Sequence, residues 1–368
     1  MNKQLFSPYR ICPIGAHIDH QGGPVLGRTL DIGTTVEYEP LDSKKIVIRS
    51  NHFGEANFHP GDLDRDHWSR YAQAAARVLP GLKRGLLIHV YGTLVGSGLS
   101  SSASVGLAYL KALADVNEIE LTDEQLVQLE YRLEHDELNL QIGLLDPLTI
   151  VFGKKDALLY MDTIIASVTP VHDPAPPDFA WIVAYSGVSR ELTKSGFNGR
   201  VDECLQAAAS LKDGANKLSD IPPGMFEEKK GTLPVPLRNR ATHFFGEVER
   251  VQQGAAAWKA GNLEFFGRLM DRSCESSINN YESGSRILVE LHELVSSTKG
   301  VYGSRFSGGG YGGCVVALAD REPAEAACAE IMENFSARHP DLPPKVFVAE
   351  TGDGLSLLRR GAELGVRE

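Results

Sequence analysis

The stretch Val95–Val105, VGSGLSSSASV, constrains this chain more than any other. A glycine-rich loop runs straight into a helical pattern in which Ala103, Val105, Ala108, Leu110 and Ala112 are apolar. A helix that starts at the end of such a loop aims its free backbone N–H groups, and the positive end of its dipole, at whatever lies in front. That arrangement suits phosphate. Glycine lets the backbone come close to a ligand. Ser100, Ser101 and Ser102 can cap the helix, donate to phosphate oxygens or ligate Mg²⁺. The GxxxxGK[ST] pattern is absent, so this is not a Walker loop. Read alone, the stretch also fits a plain serine-capped turn.

A second glycine element, GSRFSGGGYGGC, occupies Gly303–Cys314 and leads into an apolar run. A GGG run alone also fits a flexible loop. Two such loops in one acidic chain point to a nucleotide-dependent transferase. The net charge of −11 argues against wholesale binding to nucleic acid or an acidic membrane. The five cysteines are widely spaced with no C-x-x-C pair, which disfavours a disulfide framework or a zinc site. No apolar run approaches a membrane span, and MNKQLFSPYR has no signal-peptide core. A cytoplasmic enzyme is the expectation.

At 368 residues the chain exceeds the size at which single cores stop growing, so two domains are expected. Strand-like runs TTVEYEP, KKIVIRS and GLLIHVYGTL precede the helical stretch after Val95. Thr122 and Gln125 fit a capping box opening LTDEQLVQLEYRLEHDEL. On that helix Glu130, Glu134 and Glu137 share a face. DALLYMD reads as a strand. The proline-rich VTPVHDPAPPDF is the clearest linker candidate. It divides the chain into 1–172 and 173–368. Beyond it, WIVAYSGV, CVVALAD and PKVFVAET read as strands, and HFFGEVERVQQGAAAWKAG and RILVELHELVSST as helices. The class is α+β, without βαβ alternation.

Two further places carry chemistry. RICPIGAHIDHQGG, Arg10–Gly23, concentrates polar residues among glycines. Asp146 is a lone acid in the apolar QIGLLDPLTIVFG. An unpaired buried carboxylate is costly, so it needs a partner or a task. Arg10 is one possible partner, and a turn cap before Pro147 is the alternative.

Together and in order, these stretches resemble the GHMP small-molecule kinases, most closely the galactokinase branch. YRICPIGAHIDHQGG is similar to that branch's sugar signature GRxNLIGEHTDYxGG. VGSGLSSSAS is similar to its phosphate loop GxGLSSSA, and GSRFSGGGYGGC to its motif G[AS]R[ML]TGGGFGGC. The resemblance spans nearly the whole chain. It implies the two-domain GHMP kinase fold, with the active site in the cleft between domains, and it implies ATP and Mg²⁺. It makes Gly96, Ser97, Gly98, Leu99, Ser100, Ser101, Ser102 and Ala103 the ATP-binding loop, and Gly308, Gly309 and Gly310 the third motif. Arg10 matches the signature arginine that polarises the attacking hydroxyl. Asp146, in GLLDP, matches the aspartate of GIMDQ, the candidate catalytic base. Glu134, twelve residues earlier, matches the Mg²⁺-ligating glutamate, and Ser102 joins it at the metal. His17 and Asp19 match sugar ligands, with Ala16, His20, Gly143 and Phe197 completing the expected substrate set. By analogy, side chains between Tyr38 and Arg70 contribute to the adenine pocket. The family occurs as monomers and dimers, so a monomer or a homodimer is implied.

The departures concern the sugar. Galactokinases carry glutamate where this chain has Ala16, near the 6-hydroxyl. Losing it weakens recognition of a C6 alcohol and removes a charge that would repel a C6 carboxylate. The form GAHIDHQGG resembles galacturonokinases. The resemblance thus implies phosphorylation of D-galacturonic acid at the anomeric hydroxyl. Galactose or another neutral sugar, glucuronate or arabinose is the alternative, and a non-catalytic sugar sensor the more distant one. His17 and His20, if protonated or donating, are candidates to receive the carboxylate, as are Arg190 and Lys194. Pro147 replaces a glutamine, His20 a tyrosine, and Phe197 a sugar-binding tyrosine.

Overall fold

The computed structural model describes residues 3–189 and 196–358. Seven strands come first: β1 (Lys3–Ile14), β2 (Val25–Leu41), β3 (Ile46–Ser50), β4 (Gly54–Phe58), β5 (Gly85–Gly92), β6 (Ala157–Asp162) and β7 (Ser167–His172). They form a mostly antiparallel sheet in which, among the described residues, only β3 and β5 run parallel. A second antiparallel sheet has the order β11-β8-β10-β9, from β8 (Phe179–Tyr185), β9 (Val301–Phe306), β10 (Cys314–Asp320) and β11 (Lys345–Ala349). The chain then returns to the first sheet, where β12 (Ser356–Leu358) pairs with β1.

Helices α1 (Arg70–Val78), α2 (Ser101–Val116), α3 (Asp123–Arg132) and α4 (Leu145–Phe152) belong with the first sheet. Helices α5 (Phe197–Leu211), α6 (Pro223–Lys229), α7 (Val235–Lys259), α8 (Leu263–Asn279), α9 (Arg286–Ser297) and α10 (Ala324–Arg338) follow. One apolar cluster joins the two halves: Tyr9, Ile11 and Leu26 of the first sheet meet Trp181, Val316, Trp258 and Phe266. This is why β1 is buried on both faces from Ser7 onward instead of alternating.

Local chemistry sets the details that matter for the site. The β1–β2 register slips between Pro8 and Arg10, where proline offers no N–H to the ladder. Freed from that ladder, the Arg10 N–H donates to Leu99 O at 3.1 Å, pinning the strand to the phosphate loop. Thr122 and Gln125 form both bonds of the capping box, at 3.2 and 2.9 Å. The helix does not continue regularly to Leu138: Leu133–Glu137 is a π-turn. The expected linker is half strand. Residues 167–172 pair with β6, and Pro170 is accommodated on an edge strand that needs no donor there. Only residues 173–178 connect β7 to β8. Among the described residues, no helix is long and apolar enough to cross a membrane.

Candidate active site

The two glycine loops meet backbone to backbone. Gly96 and Gly98 take φ of +75° and +79°, and Ser100 follows at +63° just before α2. A Cβ on Gly98 would lie 2.6 Å from Ser307 O, and one on Gly308 2.8 Å from Gly98 O. Only glycine permits that approach. The loops line a cavity of about 690 Å³ together with Arg10 and Asp146. Gly96, Gly98, Ser100, Ser101, Ser102, Gly308, Gly309 and Gly310 all border it. Ser97, Leu99 and Ala103 are fully buried and do not line it.

Arg10 and Asp146 pair inside this cavity. Arg10 Nε donates to Asp146 Oδ1 at 2.6 Å, while Nη1 donates to Gly98 O at 3.1 Å and Ser307 Oγ at 3.2 Å. Burial opposes the charge on Arg10, but the Asp146 carboxylate outweighs it and holds the guanidinium above its usual range. The second Asp146 oxygen accepts from Ser100 Oγ.

Glu134 lies on the π-turn, 2% exposed, and its Oε1 meets no hydrogen-bond donor among the described residues. Burial, and then Asp146, push its carboxyl up to about 8, and the Ser102 hydroxyl sits beside it. Among the described residues no group of three or more histidines, cysteines or carboxylates could hold a metal. A buried, orphaned carboxylate oxygen beside a hydroxyl does fit a hard cation that takes its other ligands from phosphate and water.

The signature loop between β1 and β2 is packed deeply. Asp19 Oδ2 accepts from Leu145 N at 3.2 Å. Gly143 is glycine for a visible reason, since a Cβ there would run into the Asp19 carboxylate. Burial, and then Asp146, push Asp19 up to about 6. His17 takes φ of +67° and stacks on Tyr281 at 4.4 Å. His20 Nε2 reaches Tyr281 OH at 3.1 Å, and Phe197 meets the His20 ring edge-on at 5.9 Å. Burial pulls His20 down to about 3 and His17 well below its usual value. Both are neutral near pH 7, so neither receives a carboxylate as a cation, and because Gln21 Nε2 donates to His20 Nδ1 at 3.0 Å, the one N–H of His20 is given to Tyr281 OH. Ala16 is 4% exposed, and its carbonyl accepts from His243 Nε2 at 3.0 Å. Asp19, His20 and Gly143 border a second cavity of about 630 Å³. Arg190 and Lys194 lie outside the described residues.

Ser50, Asn51, His52, Phe53, Trp68 and Arg70 also line the main cavity. All fall in the segment expected to contribute to an adenine pocket. Phe53 and Trp68 stack at 5.7 Å, and Phe53 is 52% exposed. An exposed aromatic face lining a cavity is ready to stack on a planar ring. Sequence reasoning did not find Ser307, Tyr281 or His243. Ser307 sits inside the quoted GSRFSGGG stretch, but nothing local marks it as a partner of Arg10.

Comparison with known proteins agrees with this geometry. Residues 69–154 match the GHMP kinases N terminal domain, and residues 255–337 match the GHMP kinases C terminal domain. Galacturonokinase of Arabidopsis thaliana is 35% identical, over 96% of this chain and 93% of its own. Galactokinase of Roseiflexus sp. is 31% identical, over 87% and 84%. A crystal structure of Lactococcus lactis galactokinase complexed with galactose superposes with a TM-score of 0.90 at 28% identity, covering 97% of this chain and 95% of that one. Mevalonate kinase, at 18% identity and a TM-score of 0.65, shares the fold. The chain belongs to the GHMP kinases, as a sugar kinase of the galactokinase and galacturonokinase type.

Proposed function

We propose that this protein transfers the γ-phosphoryl group of ATP to the anomeric hydroxyl of D-galacturonic acid, giving galacturonate 1-phosphate and ADP. The observation that carries the sugar assignment is Ala16. It leaves a small, neutral, buried position in the signature loop, followed in the chain by His17, which is also neutral. A glutamate there would repel a C6 carboxylate. The 35% identity to a galacturonokinase supports the same reading.

In this reading the sugar lies between Asp146 and Asp19. Asp146 takes the proton as the anomeric oxygen bonds to the γ-phosphorus and the bond to the bridging β-oxygen breaks. Ser100 holds the receiving oxygen of Asp146, and rotation about its χ1 frees that oxygen. Arg10 fixes the carboxylate through Nε and brings positive charge to the transferring group. The backbone N–H groups of the two glycine loops hold the polyphosphate. Glu134 and Ser102 would hold Mg²⁺, which would neutralise phosphate charge when bound. Phe53 and Trp68 take the adenine. The working division between halves falls near residue 172, with β12 crossing back.

A coupled ADP-release assay with D-galacturonate, D-galactose, D-glucuronate and L-arabinose tests this. Turnover strongly favouring galacturonate is expected. Preference for galactose would overturn the reading of Ala16 while leaving the kinase chemistry in place.

A further inference from the structure

We propose that His243 and Glu247, one turn apart on α7, are positioning residues that hold position 16 and so help set sugar specificity. The inference rests on the reading of the β1–β2 loop as the sugar loop.

Both residues are fully buried, and both bond to the loop's backbone rather than to a side chain. His243 Nε2 lies 3.0 Å from Ala16 O, and Nδ1 lies 3.0 Å from Ser276 Oγ. A carbonyl only accepts, so Nε2 carries the proton and Ser276 donates to Nδ1. Burial pulls His243 down to about 4, so the ring holds this single proton near neutral pH. Glu247 Oε2 accepts from Gly15 N at 2.7 Å and from Ser273 Oγ at 2.8 Å. Its Oε1 accepts from Arg250, and Arg305 of the third motif donates to Ser273. Burial would raise the Glu247 carboxyl, but the charges of Arg250 and Arg305 hold it below its usual value. A buried ionised carboxylate is costly unless donors saturate it, and one of its donors here is the Gly15 peptide.

The loop needs such a hold. Gly15 takes φ of +99°, and His17, which carries a Cβ, takes +67°. A histidine in the left-handed region persists only where its surroundings over-determine it. The two clamps grip the two residues just before it. They come from the C-terminal half of the chain, whereas the loop joins strands of the first sheet. The direction of the Ala16 Cβ therefore depends on how the halves dock.

The test uses His243→Phe, which keeps a ring against Tyr281, 5.2 Å away, and loses the donor. Glu247→Gln keeps an acceptor of the same size. First, amide hydrogen exchange is followed in the peptide over residues 15–23 and in the phosphate loop, which reads the clamp whatever the substrate is. His243→Phe should speed exchange in the first at least about tenfold and leave the second unchanged. Second, with the sugar that the wild type turns over best, KM for sugar should rise at least about tenfold while KM for ATP stays within about twofold. Glu247→Gln should do the same more mildly. Third, Ala16→Glu should alter the galacturonate-to-galactose ratio less in the His243→Phe background than alone, because the two positions couple. Unchanged exchange over residues 15–23, a parallel change in both KM values, or an additive ratio would each overturn the proposal. A wild type that prefers a neutral sugar would instead overturn the reading of substrate, and leave the exchange and KM arms to decide the clamp.

Discussion

Arg10 Nε lies 2.6 Å from Asp146 Oδ1, joining a slipped position in the first strand to the first turn of α4. The arginine is 4% exposed and also spans Gly98 O and Ser307 Oγ, so one guanidinium ties Asp146 to both glycine loops. Asp146→Asn keeps the size and an acceptor for Arg10 but cannot take a proton. Turnover should fall by about 10²–10⁴, with ATP affinity from equilibrium titration changed less than about twofold. Arg10→Lys should fall similarly, since an ammonium cannot reproduce the planar fork that reaches three acceptors. Turnover of Asp146→Asn above a tenth of wild type would assign the proton to another group.

Ala16→Glu puts a carboxylate at a buried position next to the neutral His17. If a C6 carboxylate sits nearby, kcat/KM for galacturonate should drop at least about tenfold, roughly 1.4 kcal/mol. The galactose value should fall less or rise. Equal losses on both sugars, measured side by side, would mean the position reads shape rather than charge.

What was legible in the sequence is what backbone chemistry dictates locally. Thr122 with Gln125 predicts a cap, and both bonds are there. GLSSSAS predicts a loop opening a helix, and α2 starts at Ser101. The rule that a buried acid needs a partner offered Arg10 as one candidate for Asp146; the pair is there, although the Asp146 side chain is 22% exposed rather than buried. Quantities that depend on three-dimensional burial were not legible. Whether His17 and His20 carry charge is decided by Tyr281, Phe197 and Ser283, which come from distant segments. The π-turn that carries Glu134 leaves no mark in a helical apolar pattern. Pro170 suggests a linker, because the sequence does not say that its strand lies at an edge.

Asp19 offers a pH signature. Burial and the neighbouring Asp146 push its carboxyl up to about 6, above the ordinary carboxylate range. The raised value means the group is ionised above about pH 6 and takes up a proton below it. If ionised Asp19 accepts hydrogen bonds from sugar hydroxyls, KM for the sugar should rise as pH falls from 7 to 5, while KM for ATP follows a different profile. Asp19→Asn should raise the sugar KM at pH 7.5 and flatten its dependence over this window. A slope that survives in Asp19→Asn would place the titrating group elsewhere.

Gly98→Ala addresses the contact between the two loops. Its φ of +79° is poorly tolerated by a residue with a Cβ, and that Cβ would come within 2.6 Å of Ser307 O, which is backbone and cannot swing aside. Left-handed strain alone costs about 1–2 kcal/mol, and the clash forces the loops apart. KM for ATP should rise at least about tenfold, with a lower Tm. Gly199→Ala on α5 is the matched control. Among the described residues nothing lies within 4 Å of its added methyl, so ATP kinetics should not change and Tm should hold or rise. If Gly98→Ala lowers Tm but leaves KM for ATP unchanged, the close approach of the loops serves the docking of the two halves, and the phosphates are held by donors further along α2.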